Sequence, residues 1–161
     1  MKEIELNTSL TFQELFKQYQ EVWDDCYLGY VIIPNKSKLD DYKSITQHIS
    51  NQKMYDFYPW LNEKEQIQLP KNGLHEINQF EFIVNLVEMA KEAINYGSHK
   101  KISNNALNIL AQTFVNEFHN PKYYSNFEGN NWTPVTYHSR DSFLCVVNNQ
   151  KIGMWLSIDD E

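Results

Sequence analysis

Two apolar runs in the last part of the chain restrict the fold more than anything before them. Phe143, Cys145 and Val147 alternate with Leu144 and Val146, and beyond Asn148-Asn149-Gln150-Lys151 the pattern resumes as Ile152, Met154, Leu156 and Ile158. Period-two runs joined by a short Asn-rich loop predict a β-hairpin. A strand that faces water on one side carries polar residues at alternate positions, and the first run has none, so both of its faces need cover. The hairpin is therefore expected at the centre of a small sheet, with Trp155 largely packed and the remainder of the chain folded over it.

The earlier residues read mainly as helices. Thr11 with Glu14 forms a capping box, Leu10 and Leu15 a staple, and Phe12, Leu15, Phe16, Tyr19, Val22 and Trp23 recur at helical spacing. Cys26 to Ile33, closed by Pro34, reads as a buried strand. Ser37 with Asp40 starts a surface helix through Leu39, Tyr42, Ile45 and Ile49, and a short helix is expected within Asn62 to Leu69. Asn78 with Glu81 caps the strongest helix, whose apolar residues Phe80, Ile83, Val84, Leu86, Val87, Ala90, Ala93 and Ile94 cover more than one face and predict a central buried element. Ser103 starts a further helix with Ala106, Leu107, Leu110, Ala111, Phe114, Val115 and Phe118 inward, stopped by Pro121. Lys122 to Pro134 reads as a long loop, and Val135 to His138 as a third strand beside the hairpin. Met1 to Asn7 reads as a short strand or an ordered arm.

Capped helical periods before residue 120 and period-two runs after 134 give a single α+β domain over 1–161. Helices of the N-terminal two thirds pack on a small antiparallel sheet formed mainly by the C-terminal third. At 161 residues and 42% hydrophobic, the chain has enough apolar area for one core without staples. Cys26 and Cys145 lie far apart among apolar neighbours and read as buried free thiols.

The formal net charge is -7, the sequence pI is near 5.2 and Arg140 is the only arginine, a balance that disfavours a surface built to hold nucleic acid. No membrane span is expected, the longest apolar run (Cys26 to Ile33) being far too short. The acidic start, with Glu3, Glu5 and Glu14, predicts no export signal. No metal site or cofactor motif is present in the sequence. The strongest enzyme case is a scatter of His119, His138, Arg140 and Asp141 with Glu117, and adjacency along a strand sends such groups to opposite faces, so no catalytic residues are assigned. The aromatic stretch from Met54 to Leu61, around Pro59 and Trp60, is either a plug over the core or an exposed edge for a cellular partner, as in a small adaptor.

The stretch Cys145-Val146-Val147-Asn148-Asn149-Gln150-Lys151-Ile152-Gly153-Met154-Trp155-Leu156-Ser157-Ile158-Asp159-Asp160-Glu161 resembles the closing hairpin of small immunity proteins from bacterial polymorphic-toxin and contact-dependent growth-inhibition systems. Those share a short apolar strand, a polar turn, an Ile-Gly step, a Trp and an acidic end. The resemblance implies a cytoplasmic, cofactor-free inhibitor with no catalysis, no metal and no membrane or nucleic-acid partner. Its partner would be the C-terminal domain of a cognate toxin, commonly a basic nuclease whose active site is blocked by carboxylates. Three candidate partner-binding surfaces follow: Asp24 with Asp25; Asp159, Asp160 and Glu161 with Trp155; and Tyr123 with Tyr124.

Overall fold

The computed structural model describes residues 11–23, 26–38, 46, 48–49, 51–58, 67–68, 74–97, 101–128, 131–136 and 140–159. Their helices are α1 (Phe12–Gln18), α2 (Gln20–Trp23), α3 (Met54–Phe57), α4 (Gln79–Gly97) and α5 (Asn104–Asn116). Their strands are β1 (Leu28–Pro34), β2 (His75–Ile77), β3 (Lys122–Ser125), β4 (Phe127–Glu128), β5 (Asn131–Trp132), β6 (Arg140–Val147) and β7 (Lys151–Asp159). Five strands form one antiparallel sheet in the order β1-β7-β6-β3-β2, and β4 pairs with β5 as a separate small hairpin. The fold is α+β, with the strands of the C-terminal third at the centre of the sheet.

Alternation on β6 and β7 divides the core in two. Leu144, Val146 and Trp155 face the helical side, where Phe12, Leu15, Phe82, Leu86, Leu110 and Phe114 close over them. Phe143, Cys145, Val147, Ile152, Met154 and Leu156 face the other side, under Ile49, Met54, Phe57, Tyr58, Ile67 and Val135. The second cover has little regular structure among the described residues and is stitched by backbone bonds, Ile67 to the Gln52 carbonyl at 3.0 Å and Gln68 to the Val135 carbonyl at 2.9 Å. The two thiols are free and buried on opposite faces of the sheet. Burial pushes the Cys145 thiol far up, which keeps it protonated and unreactive.

Asn148 makes the β6–β7 turn. Its side-chain oxygen accepts from the amides of Gln150 (2.9 Å) and Lys151 (2.8 Å), and its carbonyl accepts from the Asn35 side chain, tying the exit of β1 to the hairpin. The Ile-Gly step has a steric cause. A Cβ on Gly153 would stand 2.6 Å from the Phe118 ring and 2.7 Å from that of Phe114, so only glycine lets α5 settle on β7.

Several expectations are corrected. The first helix breaks at Tyr19 because the Trp23 indole and the Tyr19 amide both donate to the Phe16 carbonyl, which an unbroken helix would offer to residue 20. Helix α4 is not buried all round: Phe80 is 75% and Val84 42% exposed, on a stripe continued by the Glu88–Lys91 ion pair. Lys122 to Ser125 is no loop; it is strand β3, paired with both β6 and β2. Consecutive tyrosines hid it, since a strand with cover on both faces shows no polar alternation. In place of a third strand at 135–138, Val135 and Thr136 form a bend, and 137–139 lie outside the described residues. The helices expected after Ser37 and within 62–69 fall largely there too, as does the arm at 1–7.

Trp155 sits 1% exposed between Phe12, Phe16, Tyr30 and Phe114, with ring centroids 5.2 to 5.8 Å away. Its indole N–H has no hydrogen-bond partner among the described residues. Trp155→Ala is expected to lose roughly 3 to 5 kcal/mol in denaturant melts. Trp155→Phe, which removes the unsatisfied donor while keeping a ring, should lose less than half as much.

Alkaline pH offers a second check. The Tyr58 hydroxyl, buried under the sheet, donates to the Leu156 carbonyl at 2.6 Å. Burial first, then the Asp141 carboxylate and Tyr27, raise its pKa well above the ordinary 10.0. The unfolded chain therefore loses this proton at a pH where the folded chain still holds it, so the stability is present below about pH 10 and is lost as pH rises beyond. Chemical melts of Tyr58→Phe should show a shallower fall in stability above pH 10 than the parent. The fall should not vanish, because burial raises Tyr30, Tyr123 and Cys145 in the same direction.

Candidate partner-binding site

The most organised polar cluster in the core lies where β3 leaves the sheet. The Asn126 amide donates to the Phe143 carbonyl at 3.1 Å, while the Phe143 amide donates to the Asn126 side-chain oxygen at 2.8 Å. The side chain thus replaces the backbone carbonyl in the ladder, and the freed Asn126 carbonyl accepts from Thr133 at 2.9 Å. That exchange lifts the chain out of the sheet into the β4–β5 hairpin.

Asp141, 4% exposed, secures the return. Its carboxylate accepts from the Asn126 side chain (2.8 Å), the Val135 amide (3.1 Å), and the Thr136 amide (2.9 Å) and hydroxyl (2.7 Å). Neutral donors surround the charge, an arrangement that is stable only because so many converge on it. The Trp132 indole N–H donates to the Asp141 carbonyl at 2.8 Å, with the carboxylate at 3.2 Å.

The outcome is an aromatic ring held at its polar end and open at the other: Trp132 remains 43% exposed. Beside it on the hairpin, Glu128 meets His75 at 3.2 Å, an ion pair when the histidine is protonated. A large ring fixed before contact loses little freedom on binding, the property that makes tryptophan an interface anchor. The sequence offered Trp132 only as one aromatic in a presumed loop; its signal was Asn126 and Asp141, polar residues flanking apolar runs.

A second feature is a cleft of about 480 Å³ along the outer side of β1. Gln13, Glu14, Phe16, Lys17, Gln20 and Trp23 line it from the helical side, Asp56 and Phe57 from α3, and Leu28, Gly29 and Tyr30 form its floor. α3 lies so close that a Cβ on Gly29 would stand 2.1 Å from the Phe57 carbonyl oxygen.

The residues expected to face a partner are distributed otherwise. Tyr123 and Tyr124 are 6% and 7% exposed: adjacent on β3, they point to opposite faces, one against Phe82 at 5.2 Å and the other into the second core. Trp155 is core as well. The two tyrosines are corrected from surface to interior, because strand alternation within a doubly covered sheet buries both parities. Trp155 is packed as the hairpin reading expected, so it does not offer the partner-binding surface it was also named for. Asp24, Asp25, Asp160 and Glu161 lie outside the described residues, and of Asp159 only the backbone, paired with Arg140, is described. In the aromatic stretch before Pro59, Met54, Phe57 and Tyr58 plug the second core, while Trp60 lies outside the described residues.

The described members of the scattered polar set do not converge, and His138 lies outside the described residues. Asp141 lies near the start of β6, whereas His119 sits beyond its far end, its carbonyl accepting from Asn148 at 3.3 Å. Seven residues of strand, roughly 23 Å, separate Asp141 from Asn148. Glu117 pairs loosely with Lys151 at 3.9 Å. Among the described residues no group of His, Cys, Asp and Glu is placed to hold a metal ion, and no helix is long and apolar enough to cross a membrane. No family model matches the chain, and no curated protein or solved structure matches it significantly.

Asp141→Asn turns one acceptor into a donor among donors, and is expected to cost about 3 kcal/mol. Hydrogen exchange at Val135 and Thr136 should accelerate more than at Cys145 and Met154. Unchanged rates at the bend would deny Asp141 its anchoring role.

Proposed function

We propose that this chain is an immunity protein, a cytoplasmic, cofactor-free inhibitor that binds the C-terminal domain of a cognate toxin, blocks its active site and turns over no substrate of its own. The observation that carries the reading is the presentation of Trp132: a buried carboxylate and a buried amide fix a half-exposed ring on a projecting hairpin. Protein surfaces seldom hold an aromatic so firmly unless it contacts something, and Glu128 beside it adds negative charge.

Charge supplies the partner's character. A chain at -7 with one arginine is steered toward a basic surface and away from nucleic acid, as suits a nuclease toxin whose own active site is built to accept phosphates. The closing hairpin's resemblance to immunity proteins supplies the class. Occlusion would follow from mass and charge at the toxin's cleft, with the ring as anchor and carboxylates standing in for phosphates.

The test is co-purification with the C-terminal domain of the product of the gene directly upstream, followed by growth rescue in cells expressing that domain. Binding with rescue is expected. Trp132→Ala should fold normally by circular dichroism and weaken the complex at least tenfold, about 1.4 kcal/mol. Absence of both binding and rescue by the parent protein would overturn the immunity reading.

A further inference from the structure

The two edges of the sheet differ. β2 is three residues long and carries His75 and Glu76, a short polar edge of the kind that resists pairing with other chains. β1 runs for seven residues, Leu-Gly-Tyr-Val-Ile-Ile-Pro, without a charge. Among the described strands nothing lies on its outer side.

Its backbone parity can be read from the turn. The Asn35 amide donates to the Gln150 carbonyl at 2.9 Å, and the register continues as Ile33↔Ile152, Val31↔Met154 and Gly29↔Leu156. In an antiparallel pair the bonded positions alternate, so these residues turn their amides and carbonyls toward β7. Leu28, Tyr30 and Ile32 turn theirs away from the sheet. Pro34 shares that outward parity, so its missing N–H removes no bond to β7 and sets an end to the usable edge.

The edge is also recessed. Leu28, Gly29 and Tyr30 form the floor of the cleft, with Glu14 and Phe16 on one wall and Asp56 and Phe57 on the other. A second copy would bring the same flanking segments, with Glu14 and Asp56 of its own, against these carboxylates, and like charges disfavour that pairing. A single extended segment fits. Side chains of such a segment alternate between the walls, and each wall offers one carboxylate and an aromatic ring, against the one ammonium of Lys17.

We propose that the outer edge of β1 takes up one extended, basic and apolar segment of a partner protein as a further strand of the sheet, its backbone bonding to Leu28, Tyr30 and Ile32 and its cationic side chains meeting Glu14 and Asp56. This mode of recognition draws affinity from main-chain bonds and selectivity from the walls. It concerns the surface and holds whether or not the partner is a toxin.

The test uses the full chain and a capped synthetic peptide with lysine and valine in alternating pairs, so that each face of the extended peptide carries both. Amide exchange is followed by NMR. In the free chain Leu28, Tyr30 and Ile32 should exchange quickly; at saturating peptide they should slow at least tenfold, with His75 to Ile77 unaffected, and a peptide with glutamate for lysine should leave them fast. Unchanged rates, or equal slowing by the glutamate peptide, would overturn the proposal. So would slow exchange in the free chain, which would show the edge filled by the chain's own residues if independent of concentration, or by a second copy if not. The peptide decides the edge and the co-purification decides the immunity reading, so either can fail alone.

Discussion

A hairpin that is apolar on both sides has to be covered twice, and the rest of this molecule depends on that requirement. One cover is orderly: α1, α4 and α5 lay amphipathic faces on Leu144, Val146 and Trp155. The other is assembled from α3 and short irregular pieces around Met54, Phe57, Tyr58, Ile67 and Val135. Regular helices meet their own backbone needs internally, whereas irregular cover must find partners for exposed amides and carbonyls. That explains why the polar side chains buried beside the second core, Asn126 and Asp141, act on backbone groups.

The same constraint decides which aromatics are available. Rings on the sheet are taken by one core or the other, as with Tyr123, Tyr124 and Trp155. On the central strands no ring is left for solvent, and the Asn126 exchange sends one out of the sheet. Trp132 is thus exposed for the reason the tyrosines are not: its strand belongs to the β4–β5 hairpin, outside the five-stranded sheet, where Phe127 packs on the first core and Trp132 is held by Asp141. At the opposite side of the sheet, Gly29 lets α3 approach β1 and so shapes one wall of the cleft.

How legible this was depends on the period of each segment. The terminal hairpin and α5 were clear, since Cys145 to Ile158 alternates and Ala106 to Phe118 repeats at helical spacing, and the structure buries every residue named on that face of α5. Both thiols were expected free and buried, and are. Strand β3 was hidden because its two tyrosines look like loop aromatics when both faces are covered. Phe80 and Val84 were misjudged because apolarity alone does not say which of two faces finds a partner. The site was the least legible part: Trp132 carries no local signal, and the role of Asp141 exists only once residues 126, 132, 135 and 136 come together across a turn.

The proposed role, an acidic chain blocking a basic partner, makes a demand that shape complementarity alone does not. The most direct measurement is the association rate of this chain with the proposed partner, the C-terminal domain of the upstream gene's product, taken by stopped flow over a range of ionic strengths. Steering by opposite charges predicts a rate that falls steeply as salt shortens the Debye length from about 30 Å at 0.01 M to about 8 Å at 0.15 M, with dissociation little changed. A rate indifferent to salt would contradict it.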